Sequence, residues 1–186
     1  GGTVYGTPQY LPMDERHPTE PRVSYGITKL AIEKYLGMFQ YLHGVKTVTL
    51  RVANPYGERQ RVETAQGAIA VFLDRTLRGQ AIEIWGDGSA ERDYIHVSDV
   101  AEAFARALVY EGSEQVFNVA TGQGTSLNEL LRIIESVTGL PGKVSFKPGR
   151  PFDVPVSVLD NRRAQQELGW SPVIDLHEGI RRTAHW

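Results

Sequence analysis

The feature that most restricts how this chain can fold is an alternation. Short β-branched or aromatic runs take turns with segments whose apolar residues recur at helical spacing. Val45–Val52 is a strand-like run, Ala68–Leu77 has helical period, and Ala81–Trp85 returns to strand-like alternation. Asp93–Val97 is a further short strand, followed by a helix from Ser98 to about Tyr110. Gln115–Val119, Ser126–Thr138 and Val144–Phe146 repeat the exchange, and two short helices near Arg162–Leu168 and Leu176–Ala184 finish the chain. Such an order predicts an α/β fold with helices packed on largely parallel strands.

Punctuation residues support these boundaries. Tyr25, Leu30, Ile32, Tyr35, Leu36, Phe39 and Leu42 recur at helical spacing in Ser24–His43, and Gly44 is placed to cap that helix. Ser98 is expected to cap its helix with Asp99 in the first turn, and Ser126 with Glu129 forms a capping box. Asn54-Pro55-Tyr56-Gly57 reads as a turn, Thr7–Arg22 as a loop, and Gly1–Tyr5 as the end of a buried strand.

Composition removes several classes of function. The chain has 186 residues, enough for one core or for one domain and part of another. Its net charge of -2 lacks the basic excess of a non-specific nucleic-acid binder. The absence of cysteine excludes disulfides and thiolate metal sites and fits a reducing, cytoplasmic setting. No apolar run is long enough to span a membrane, and no signal pattern opens the chain. His17, His43, His177 and His185 are isolated without metal-ligand spacing, so no metal is expected; His96 reads as a core residue. Arg162, Arg163, Arg181 and Arg182 read as solvated helix faces.

One pair carries chemistry. Tyr25 and Lys29 stand four apart at the start of a helix and so share a face. An ammonium beside a phenol favours the phenolate, which would equip Tyr25 as a general base. In isolation the pair is more simply a solvated helix surface, because the motif is short. Its context changes that reading. In an open parallel sheet ligands bind beyond the carboxyl ends of strands, and strand ends at Tyr5 and Asn54 flank this helix in sequence.

The ordered motifs carry a resemblance. Val4-Tyr5-Gly6, Ser24-Tyr25-Gly26-Ile27-Thr28-Lys29 and Arg51-Val52-Ala53-Asn54-Pro55-Tyr56-Gly57 come first. Gly86-Asp87-Gly88, Arg92-Asp93-Tyr94-Ile95-His96-Val97-Ser98-Asp99-Val100, Phe117-Asn118-Val119-Ala120-Thr121-Gly122 and Arg150-Pro151-Phe152-Asp153 follow. The set resembles the second half of the extended short-chain dehydrogenase/reductase family, in its NAD-dependent epimerase/dehydratase branch.

That resemblance implies a fold, a site and a reaction. Residues 1–60 would be the tail of a Rossmann-type NAD-binding domain, and 61–186 mostly a smaller α/β domain for a nucleoside-diphosphate sugar, most simply a UDP-sugar. Tyr25 would be the base. Lys29 would be its partner and hold the ribose of NAD, with Val52 and Ala53 beside the cofactor. Asn54, Arg92 and Arg150 would hold the substrate, the two arginines by forked contacts to the diphosphate. A surface pair of Arg92 with Asp93 or Asp87 is the plainer alternative. Glu83 and Trp85 would lie beside base and ribose, against a plainer reading of Trp85 as core. Asp153 would either take a ribose hydroxyl or orient Arg150.

Two departures from the family's pattern stand out. The glycine-rich loop that admits a dinucleotide's phosphates is missing, so the chain reads as the C-terminal part of a longer enzyme. The usual catalytic Ser or Thr position falls on Gly1, which makes Thr3 the nearest hydroxyl. The acidic residues of the 4,6-dehydratases are also lacking in that stretch. The expected reaction is therefore NAD-dependent epimerisation at C4 through a 4-keto sugar. A decarboxylase of UDP-glucuronate, a nucleotide-sugar reductase, and a non-catalytic nucleotide-sugar-binding module are the alternatives. The family also implies a homodimer through the Tyr–Lys helix.

Overall fold

The computed structural model describes residues 2–62, 67–150 and 154–186. Gly1 and Asp153, both weighed above, lie outside the described residues. The described chain is mixed α/β with parallel strands, as the alternation predicts. Among the described residues no helix is long and apolar enough to cross a membrane.

Helix α1 spans Ser24–His43 and ends at Gly44, whose φ of 67° suits a residue without a side chain. Strand β1 (Thr49–Val52) pairs in parallel with β6 (Val116–Val119), in the register Thr49↔Val116 to Val52↔Val119. Strand β2 (Asn54–Tyr56) pairs in parallel with β5 (Tyr94–His96), and β3 (Ala81–Trp85) with β8 (Lys143–Lys147). Three two-residue strands, β4 (Glu91–Arg92), β7 (Thr125–Ser126) and β9 (Val156–Ser157), make a small sheet with β4 in the middle. Helices α2 (Ala68–Leu77), α3 (Val97–Leu108), α4 (Leu127–Thr138), α5 (Arg162–Leu168) and α6 (Leu176–His185) complete the chain.

Four local expectations are corrected. Gly2–Val4 is a 3-10 turn rather than a strand end, closed by Tyr5 N donating to Gly2 O at 3.2 Å. Asn54–Tyr56 is a strand rather than a turn, because Asp93 O accepts from Asn54 N and leads β5 alongside. Proline is tolerated there in a short strand with one neighbour. Val45–Val48 stays outside β1, since pairing with β6 begins only at Thr49. Helix α3 starts one residue early: His96 caps it, its Nδ1 accepting from Ser98 N at 3.3 Å. The capping box at Ser126 forms as expected, with Glu129 N donating to Ser126 Oγ at 3.1 Å.

The core falls into three clusters. β3 turns Ile82 and Ile84 inward against Phe72 and Leu73 of α2, Leu130 and Ile134 of α4, and Ile180 of α6. A second cluster joins Phe117 and Val119 of β6 to Val100 and Ala103 of α3 and to Leu168 and Trp170. Trp170 Nε1 donates to Asp99 O at 2.9 Å, and the Asp99 carboxylate accepts from Val173 N and Ile174 N. That residue therefore fastens the C-terminal segment to α3. The third cluster, Val4, Tyr5, Met13, Ala120 and Leu159, underlies the start of α1.

Helix α1 touches this body at few points. Gly26 is its one buried residue, and a Cβ there would come 2.5 Å from Thr3 O, so only glycine allows the approach. Further along, Glu33 accepts two bonds from Arg51 of β1, at 3.0 and 2.7 Å, in a nearly buried ion pair. Arg51 also lies over the ring of Tyr5, 4.8 Å from its centroid.

Candidate active site

The carboxyl end of β1, the start of β2, the 3-10 turn and the first turn of α1 border a cavity of about 410 Å³. Thr3, Tyr25, Ala53, Asn54 and Arg92 line it, joined by Arg22, Ser157 and Leu159. A second cavity of about 370 Å³ lies on the other side of Asn54, Pro55 and Arg92, which line both. Its far wall is Glu83, Trp85 and Tyr94, with Ile69 and Phe72 of α2.

Tyr25 is 59% exposed, its ring open to the first cavity. Lys29 projects over that ring, with its ammonium 5.3 Å from the centroid. Among the described residues no carboxylate pairs with Lys29. Thr3 is exposed at the cavity edge. Of the two residues expected beside the cofactor, Ala53 lines the cavity, whereas Val52 packs into the second core cluster.

The shared wall is rigidly built. Asn54 donates both its backbone N and its Nδ2 to Asp93 O, each at 2.9 Å. Arg92 rests its Nη1 on Glu91 O at 2.8 Å, which leaves much of the guanidinium fork for a ligand. The plainer pairing of Arg92 with Asp87 or Asp93 does not occur. Asp87 accepts from Ser89 N and Oγ, and Asp93 is buried with its carboxylate on Thr121 and Gly122. Burial pushes the Asp93 carboxyl above the usual range, against the pull of those hydrogen bonds.

Alternation along β3 puts Ile82 and Ile84 in the core and Glu83 and Trp85 outside, so Trp85 is not a core residue. Glu83 pairs with Lys147 of the neighbouring strand at 3.4 Å. The Arg150 guanidinium stacks over Trp85, 4.1 Å from the ring centroid, a cation–π contact at the rim of the second cavity. Burial holds Tyr94 up at about 12, so it presents a neutral phenol to that cavity.

Five of the residues named from sequence thus line the first cavity (Thr3, Tyr25, Ala53, Asn54, Arg92), and Glu83 and Trp85 join them through the second. Lys29 and Arg150 reach them by stacking. Arg22, Ser157 and Leu159 escaped the sequence reading, Arg22 in a loop without a motif and the other two at β9, which is two residues long and shows no alternation. Asp93 escaped it too: a lone acid next to an arginine reads as a surface pair. His96, His17 and Arg163 serve the structure around the site. His96 is buried edge-on against Tyr56, and its Nε2 lies 3.2 Å from Glu58 Oε2 outside hydrogen-bond geometry. His17 is buried and accepts from Gln9 N at 2.9 Å. Arg163 is not simply solvated, since it bridges Glu15 at 3.4 Å and Glu114 at 2.8 Å.

A family model described as GDP-mannose 4,6 dehydratase matches residues 2–183. The chain is similar to a UDP-glucose 4-epimerase of Mycolicibacterium smegmatis, with 42% identity over 186 residues, all of this chain and 59% of that protein. It also superposes on the crystal structure of a UDP-glucose 4-epimerase from Thermotoga maritima with UDP-glucose, at a TM-score of 0.95 and 39% identity, over 100% of this chain and 60% of that one. A UDP-glucose 4-epimerase of Thermus thermophilus in complex with NAD matches at a TM-score of 0.91 and 36% identity, over 99% of this chain and 60% of that one. The chain therefore spans about 60% of the length of these relatives. On the breadth of these matches, the chain belongs to the NAD-dependent epimerase/dehydratase family.

Proposed function

We propose that this chain is the catalytic-helix and substrate-binding part of an NAD-dependent 4-epimerase of nucleoside-diphosphate sugars. The observation that carries the reading is the wall of Asn54, Pro55 and Arg92 shared by two cavities, one open to Tyr25 and the other backed by Glu83 and Trp85. An extended ligand with a sugar at one end, a nucleoside at the other and a diphosphate between them fits that arrangement. The crystal structure from Thermotoga maritima holds UDP-glucose, which supports a UDP-sugar as ligand.

In this reading Arg92, and Arg150 from its seat on Trp85, grip the diphosphate, and Asn54 contacts it or the sugar. Asp153 would take a ribose hydroxyl or orient Arg150. Glu83 and Trp85 face the ribose and base. Tyr25 Oη accepts the proton of the sugar 4-hydroxyl, Thr3 supplies the second hydrogen bond to that oxygen, and the Lys29 ammonium stabilises the phenolate. The 4-keto sugar then turns over, and Tyr25 returns the proton to O4 as C4 regains its hydride on the opposite face, so no net oxidation results.

The residues present fit NAD. An exposed phenol and an ammonium without a carboxylate partner among the described residues suit ribose hydroxyls, and Ala53 offers a small wall beside them. Val52 would act from behind, through the core. NAD, when bound, supplies the hydride acceptor. The chain has no glycine-rich loop for the dinucleotide's phosphates, so by itself it binds UDP-sugar weakly and NAD hardly at all.

Residues 1–60 then form the tail of the cofactor domain and 61–186 mostly the substrate domain, with β6 returning to pair β1. The whole protein would be a homodimer through α1, whose Tyr35, Phe39, Tyr41 and Leu42 are exposed. The decisive test is Tyr25→Phe in the whole protein. Turnover of UDP-glucose should fall by about 10²–10⁴-fold while UDP affinity holds. Undiminished turnover would remove Tyr25 from the mechanism.

A further inference from the structure

Asp93 is fully buried, and no cation pairs with it among the described residues. Its carboxylate is held instead by neutral donors from two separate segments. Thr121 N and Oγ1 donate to Oδ1 at 2.9 and 2.7 Å, and Gly122 N donates to Oδ2 at 3.0 Å. Leu159 N approaches Oδ2 at 3.5 Å. Its main chain is used as fully: the carbonyl accepts twice from Asn54, and Asp93 N donates to Ser157 O at 3.1 Å.

These bonds converge on residues that face the cavities. Asn54 and Arg92 line both, and Ser157 and Leu159 line the first. Arg92 precedes Asp93 in the chain. Thr121 and Gly122 are the exceptions; they follow β6 and stand away from both cavities, so they anchor the carboxylate from behind. We propose that Asp93 is the positioning residue of the diphosphate clamp, fixing Asn54, Arg92 and the Ser157–Leu159 segment in one register. The role rests on reading the cavities as a nucleoside-diphosphate-sugar site.

The chemistry explains why an acid is needed. An ionised carboxylate only accepts and has about four lone-pair sites, which matches four donors. An asparagine would turn two of its own N–H groups toward donors on one side. The mismatch would separate the Thr121–Gly122 turn or the Leu159 segment from β5, and the shared wall would shift with it. The nucleoside end, held by Glu83 and Trp85 on β3, makes no bond to Asp93 and would stay in place.

The test measures UDP and uridine binding to this chain by NMR titration, for the unaltered protein, Asp93→Asn, Thr121→Val and Leu168→Ala. Leu168 sits in the second core cluster, and its truncation lowers thermal stability without touching the clamp. Asp93→Asn should lose about tenfold or more in UDP affinity and keep its uridine affinity. Thr121→Val removes one donor and should lose about threefold for UDP alone, which keeps the question answerable if Asp93→Asn does not fold. Leu168→Ala should bind both ligands as the unaltered chain does. Unchanged UDP affinity in the Thr121 and Asp93 variants, or equal losses for UDP and uridine, would overturn the positioning role. Failure of the unaltered chain to bind UDP would instead overturn the reading of the cavities, and the clamp with it.

Discussion

Helix α4 turns Leu130 and Ile134 into a core shared with α2, β3 and α6, and Leu127, Leu131, Ile133 and Val137 pack around them. Helix α1 is longer, at 20 residues, yet Gly26 is the one residue it buries, and Tyr25, Ile27, Ile32, Tyr35, Phe39, Tyr41 and Leu42 stay exposed. The stability of a helix in a protein comes mainly from packing an apolar face. By that measure α4 is completed within this chain. Helix α1 is held by a glycine contact, the side of Leu30 and one ion pair, while most of its apolar surface has no cover among the described residues. The difference teaches that apolar periodicity announces a helix with an interface to make, without saying whether the same chain supplies the other half.

Three variants break or sharpen the contrast. The largest loss is expected from Leu130→Ala, which leaves a void in a fully buried position of α4 and should cost about 2–5 kcal/mol in denaturant unfolding. Next is Glu33→Gln, which strips Arg51 of its charged partner in a site where both side chains are nearly buried. It should cost about 3 kcal/mol by the same measurement and loosen α1 selectively, seen as faster amide exchange along that helix. If exchange rises equally in α4, the ion pair is no special anchor of α1. The smallest effect on stability belongs to the double change Tyr35→Ser and Phe39→Ser, within about 0.5 kcal/mol, since both side chains are already in water. Sedimentation should nevertheless move toward the monomer. A large loss of stability from that pair would mean that α1 is packed more tightly than its exposure indicates.

The sequence made the long elements legible and the short ones not. Alternation in Ala81–Trp85 placed Ile82 and Ile84 inside and Glu83 and Trp85 outside, because a strand with one covered face has a period of two. The capping box at Ser126 and the glycine at 44 marked helix ends because each meets a defined backbone need. Two-residue strands carry no period, so β4, β7 and β9 were invisible, although they bring Arg92 and Ser157 side by side. The turn chemistry of Asn54-Pro55 misled because pairing across to β5, far along the chain, outweighed local preference. Gly2–Val4 misled in the same way: its apolar end is buried under α1 without a strand beside it. The burial of Asp93 was equally hidden, since its partners Thr121 and Leu159 lie 28 and 66 residues away.

The common wall of Asn54, Pro55 and Arg92 limits how such a protein can diversify. A change there borders both chambers at once, so it bears on the middle of an extended ligand rather than on either end alone. Thr3 on one side, and Glu83 and Trp85 on the other, each border a single chamber. If the two chambers take the two ends of a nucleoside-diphosphate sugar, as proposed, new sugars and new nucleosides can be explored separately, at the outer walls, while the partition between them is kept.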